Sequence, residues 1–316
     1  MSVAESAAGP AAPPGPIAAP PAPAESAAGP LAAMRPAGRR PGAVAQWTRF
    51  LRSEVRLVFL RPRTITLLAV LAVVPALLGI VLRVAGGGGG DGGGPPFIGQ
   101  VAGNGVFLAF LSLVLMMTLI LPLVIAVVAG DSVAGEAGRG TLRYLLTVPA
   151  GRTRLLAVKY VTIIIFCVAG CLLIAAVAVA AGAALFPVGP VTLLSGTSIS
   201  LPAGLLRLVV VALYVAAAMA SLGAIGMAIS TFTEHSIAAM ATLLILTVGS
   251  EIADAVPQIG AVHAYLPTHW WLSFDGLLRA PVAWSAVLHG LLSFGVYAVI
   301  FLGIAWARFT TADVSS

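Results

Sequence analysis

Residues 131–160 read DSVAGEAGRGTLRYLLTVPAGRTRLLAVKY, and this polar stretch parts two apolar runs, each long enough to cross a membrane. Gly138 and Gly140 break the helix that precedes it, Thr141 is placed to cap a new one, and residues 142–148 allow about two turns before Pro149 stops them. The stretch therefore predicts a short helix held between two membrane spans. Leu142, Leu145 and Leu146 share one side of that helix at helical spacing, while Arg143, Arg152, Arg154 and Lys159 supply charge around and beyond it. Such an element suits docking into the groove of a partner protein. A basic loop that only holds topology is the plainer alternative.

Working outward, the composition agrees with a membrane setting. Hydrophobic residues fill 59% of the 316 positions and charged residues only 9%, which excludes an ordinary soluble domain. The net charge of +6 lacks the aromatic-interleaved basic groove of a nucleic-acid binder and points instead to topology and anionic lipid. Six spans follow from the apolar runs at residues 64–82, 106–129, 161–185, 205–230, 237–255 and 286–306. The expected class is an all-α polytopic membrane protein. Pro75 and Pro122, inside the first and second spans, are candidate bends.

Ahead of the spans, residues 1–43 are rich in Ala, Pro and Gly, repeat AESAAGP at 4–10 and 24–30, and predict a disordered tail with no secretory signal. Residues 44–61 predict an interfacial amphipathic helix. Trp47, Phe50, Leu51, Val55 and Val58 fall on one face, and Arg49, Arg52, Ser53 and Arg56 on the other. Residues 62–316 then form the transmembrane domain.

Positive charge orients the chain. Eight basic residues lie between Arg35 and Arg63, five between Arg139 and Lys159, and one at Arg308. By the positive-inside rule both termini and the 131–160 loop are cytoplasmic. Arg83 and Arg207, near the opposite ends of their spans, are expected to snorkel to lipid headgroups. The outer segment 256–284, with Tyr265, Trp270, Trp271 and Phe274, predicts one or two interfacial or re-entrant helices broken at Pro267 and Pro281.

The order Glu136, Gly140, Thr141, Leu142, Pro149, Arg152, Lys159 between two spans resembles the first cytoplasmic loop of type-2 ABC transporter permeases, the membrane subunits of many bacterial exporters. An amphipathic elbow helix and a short segment before the last span are similar too. The resemblance implies a coupling helix seated on a cytoplasmic ATP-binding subunit, with Leu145 and Leu146 completing its apolar side. It further implies a second permease copy or homologue, export from the cell membrane, and ATP and Mg bound by the partner and not by this chain.

Other chemistry finds little footing. The sole lysine, Lys159, follows Val158, so no phosphate-binding loop is present, and no nucleophile elbow occurs. Cys167 and Cys171, one turn apart in an apolar run, read as small buried apolar residues. His263, His269 and Asp275, with Glu251 and Asp254 nearby, are the raw material of a metal site. Pro267 separates the two histidines, however, and they lack the i, i+4 spacing of a helical zinc pair. His289 reads as a lone hydrogen-bonded histidine. The expectation is a permease without catalytic or metal-binding residues; a secondary transporter or a membrane-embedded metal-dependent enzyme is the alternative.

Overall fold

The computed structural model describes residues 43–87, 104–138, 152–193 and 195–311. The tail through residue 42, most of the Gly/Pro linker after the first span, and the short helix expected over residues 141–148 lie outside the described residues.

Helix α1 (Ala43–Phe59) is followed by a turn and by α2 (Pro62–Gly87), which Pro62 opens at a position where its missing N–H costs nothing. The second apolar run is two helices, α3 (Phe107–Thr118) and α4 (Ile120–Gly130), bent by 54°. The break falls at Leu119 (φ −138°, ψ −50°). Pro122 explains it: it offers no N–H to the Thr118 carbonyl, and its ring crowds that same group. Pro75, by contrast, lies within one continuous helix, so the expected first bend does not interrupt α2.

After the one-turn helix α5 (Ala134–Ala137) come α6 (Arg152–Leu185), α7 (Leu201–Ser230), α8 (Ser236–Asp254) and, beyond an irregular segment, α10 (Trp284–Thr311). At 34 residues α6 is about 51 Å long, well beyond the roughly 30 Å of a hydrocarbon core. The third span thus starts nine residues earlier than its apolar run. Among the described residues five helices are long and apolar enough to cross a membrane, and the bent pair brings the number to as many as six. The chain is an all-α, multi-pass membrane protein.

Helix α7 is the centre of the bundle. Val211, Val215, Met219, Leu222 and Ile225 are buried along it, and small residues between them admit close neighbours. A Cβ at Gly226 would stand 2.6 Å from a Leu243 methyl and 2.8 Å from the Ala129 methyl, so only glycine permits this approach of α4 and α8. At the other end of the bundle Gly105, in the turn before α3, and Gly182 on α6 bring their backbones into direct contact, leaving room for no side chain on either.

The helices alternate in direction. The starts of α2, α6 and α8 meet the ends of α4, α7 and α10 at what we call the loop end, where Trp306 donates to Thr153 and Arg308 lies over the Phe232 ring. At the far end Asn104 donates to the carbonyls of Gly189 and Pro190 and accepts from the Val106 amide. A two-stranded hairpin, β1 (Val191–Thr192) with β2 (Ser198–Ile199), turns through Gly196 at φ +80°. The segment before α10 contains a 3-10 turn (Pro257–Ile259), the short helix α9 (Gly260–His263) and a 3-10 helix (Trp271–Leu278).

The apolar stripe of α1 has the predicted residues and is half-buried, and at the end of the helix the Phe59 ring lies 5.7 Å from the Phe166 ring of α6. One expectation is corrected. Arg207 donates to the carbonyls of Leu277 and Arg279, both at 3.0 Å, instead of reaching headgroups. The 3-10 helix ends over α7, and its unsatisfied carbonyls attract the guanidinium.

Candidate functional site

Lys159 lies on the face of α6 that also buries Leu155, Leu156, Val158 and Thr162. Its ammonium donates to Glu136 Oε1 at 2.5 Å and to Glu54 Oε1 at 3.2 Å. The side chains of Lys159, Glu136 and Glu54 are only 5%, 11% and 15% exposed. Two carboxylates around one ammonium, largely removed from water, make strong charge-assisted bonds whose loss would strand a buried charge. The triad joins α1, the turn after α4 and the start of α6.

Beside it Arg61 pairs with Asp131 at 2.8 Å, and the other oxygen of that carboxylate accepts from Ser236 at 3.0 Å. Arg61, Asp131 and the triad line one cleft together with Arg63. Ser230, buried at the end of α7, accepts from the amides of Val133 and Ala134 at 3.1 and 2.8 Å and donates to the Gly130 carbonyl at 3.0 Å. The chain leaving α4 breaks its helix there, and this hydroxyl satisfies the backbone groups that the break frees. Gly138, which ends α5 as its sequence position suggested, packs against the Glu234 carbonyl in the α7–α8 turn.

Of the residues expected to meet a partner, the structure brings Glu136 and Lys159 together and turns both inward. Arg152 opens α6. Gly140, Thr141, Leu142, Leu145, Leu146 and Pro149 lie outside the described residues. Sequence reasoning missed Glu54 and Ser230. Glu54 had a signal, being an acid four residues from both Phe50 and Val58 within the apolar stripe of α1; Ser230, one polar residue at a span end, had none.

At the far end the two histidines gather on Asp254, one of the three acids named with them, and not on Asp275. His269 Nδ1 is 2.6 Å from Asp254 Oδ1, and His263 Nδ1 is 3.9 Å from the same oxygen. Asp275 pairs with Arg279 at 3.1 Å, one helical turn on. Among the described residues no group of three or more His, Cys, Asp or Glu side chains is placed to hold a metal ion. His289 bonds the Ser285 carbonyl and stacks on Trp270, with ring centroids 5.5 Å apart. Tyr214 on α7 donates to the Trp270 carbonyl at 2.7 Å, and the Ser250 and Thr268 hydroxyls bond at 2.7 Å. The outer segment is thereby fastened to α7, α8 and α10. An apolar groove of about 520 Å³ remains between it and α3. Cys167 and Cys171 are free thiols buried in the bundle.

The loop end thus has a polar core that fixes the roots of residues 139–151, and the far end has a pinned outer segment over a groove. No curated protein matches the sequence. A family model described as "Protein of unknown function (DUF2705)" matches residues 95–315, which takes in every described span except α2. The chain belongs to the DUF2705 family.

Proposed function

We propose that this chain is the permease subunit of an ATP-driven transporter, similar to the type-2 ABC exporters. It crosses the cell membrane six times, with both termini and the 131–160 loop in the cytoplasm, and α1 is an elbow helix at the membrane interface. Gly140, Thr141, Leu142, Leu145, Leu146, Pro149 and Arg152 form the surface that meets a cytoplasmic ATP-binding subunit, which carries ATP and Mg. A second permease copy or homologue completes the membrane pathway. The cargo is hydrophobic or amphipathic and is exported.

The observation that carries this reading is the fastening of the loop roots. Glu136 and Lys159 close on each other across the base of the loop, Glu54 ties them to α1, and Ser230 holds the turn between them and α4. A push on residues 139–151 would therefore reach α4, α6 and α7 through short, buried, directional bonds rather than being absorbed by a slack connection. In this reading Glu136 and Lys159 convey the movement from inside and do not touch the partner.

The test is affinity purification from the native membrane in mild detergent, with an ATPase assay of the eluate. An ATP-binding subunit is expected to co-purify. It should be lost when Leu142, Leu145 and Leu146 are all changed to Ser, while the variant still elutes as a folded chain. A folded wild-type chain recovered without ATPase, or partner binding unchanged in the triple variant, would overturn the proposal.

A further inference from the structure

The far-end groove has one chemistry along its walls and another at its mouth. Phe107, Leu111 and Val114 form the α3 wall, and Leu272, Phe274 and Leu278 the facing one. Its volume of about 520 Å³ is within the roughly 300–1,000 Å³ of small-molecule sites. Phe107 and Val114 are seven residues apart on a helix, so the groove runs about 10 Å from the end of the bundle toward its middle. The polar side chains that line it, His269, Ser273 and Asp275, all come from the outer segment. A ligand that fits both parts has an apolar body and a polar head.

The mouth also specifies the head. His269 Nδ1 is turned to Asp254 Oδ1, 2.6 Å away, so that carboxylate is already engaged. Asp275 uses Oδ2 for Arg279 and leaves Oδ1 to accept. Arg207, the cation that would otherwise suit an anionic head, is held by two backbone carbonyls. The groove therefore presents one carboxylate beside an apolar channel. Arg279, which pairs with Asp275, is not part of the lining, so the carboxylate is the charge that a head in the groove meets: an ammonium finds a complementary partner there and a carboxylate or phosphate does not.

We infer that this groove binds a single-tailed amphiphile with a primary ammonium head. The tail lies along Phe107, Leu111 and Val114, and the head donates to Asp275. The site belongs to this chain alone, so it does not depend on an ATP-binding subunit driving transport.

The experiment uses the full chain in nanodiscs of zwitterionic lipid and two photoreactive probes, a long-chain alkylamine and the fatty acid of equal length, each with a diazirine in the tail. Cross-linked peptides are mapped by mass spectrometry. The amine is expected to label the α3 wall and the facing 3-10 helix, to be competed by unlabelled alkylamine, and to label these peptides far more than the acid does. Asp275→Asn should weaken amine labelling about tenfold, as expected for loss of a charge-assisted bond, and leave the acid unchanged. Val114→Trp, which fills the channel, should reduce labelling by both probes; if it fails to fold, the half-exposed Asp275 variant still decides the outcome. Labelling spread evenly over the lipid-facing sides of α8 and α10, equal labelling by amine and acid, or amine labelling indifferent to Asp275→Asn would each overturn the inference.

Discussion

Lys159 on α6 and Glu136 on the turn after α4 are 23 residues apart in sequence and meet at 2.5 Å, closing the base of the loop between them. The bond does not stand alone, because Glu54 reaches the same ammonium from α1. A stretch of chain that looks like a free connection in sequence is rooted at both sides in the bundle.

Lys159→Met takes from Glu54 and Glu136 the buried ammonium that they share. The expected loss is about 3–5 kcal/mol, the usual result of breaking a buried pair from one side. Thermal unfolding in detergent measures it. Glu54→Gln should cost less than Glu136→Gln, since its bond to Lys159 is longer and its carboxylate more exposed. Equal stability of Lys159→Met and wild type would mean that the triad carries no structural load.

Ser230→Ala removes one hydroxyl and strands the amides of Val133 and Ala134 together with the Gly130 carbonyl. Each buried unpaired group costs about 1–3 kcal/mol, so the substitution should be far more damaging than the loss of a single side-chain bond. Ser230→Thr keeps the hydroxyl and should recover most of the stability. Proteolysis at residues 133–138 is the readout: faster cleavage in the Ala variant and near-normal cleavage in the Thr variant.

Topology can be read by cysteine labelling, because Cys167 and Cys171 are buried and give little background. Ser195, at the exposed hairpin, and Thr311, at the exposed end of α10, sit at opposite ends of the bundle. In intact cells Ser195→Cys should react with a membrane-impermeant maleimide, and Thr311→Cys only after permeabilisation. The reverse pattern would invert the orientation inferred from the positive residues.

The spans were legible because a run of about 20 apolar residues has few fates other than crossing a bilayer. The bend of the second span was legible too, since Pro122 leaves Thr118 without its helical partner. The bearing of α1 was not. Periodicity marks Trp47, Phe50, Leu51, Val55 and Val58 as one face but cannot say whether lipid or protein covers it. The acid at Glu54 within that stripe is what separates the two cases: it is costly against hydrocarbon and satisfied against Lys159. Arg207 escaped for a similar reason, as its carbonyl partners come from residues some 70 positions later, and only the folded outer segment brings them within reach. The site at the loop end depends on elements distant in sequence, so local pattern identified some of its members without their pairing.

The Ser230 hydroxyl also bears on how this protein sits in bilayers of different depth. A helix ordinarily has to continue until its terminal peptide groups find water, which ties the end of a span to the membrane surface. At Gly130 the chain carries its own substitute for that water, because the neighbouring helix satisfies the turn. The second span is thereby free to finish below the headgroups, and a thicker or thinner membrane need not drag the loop with it.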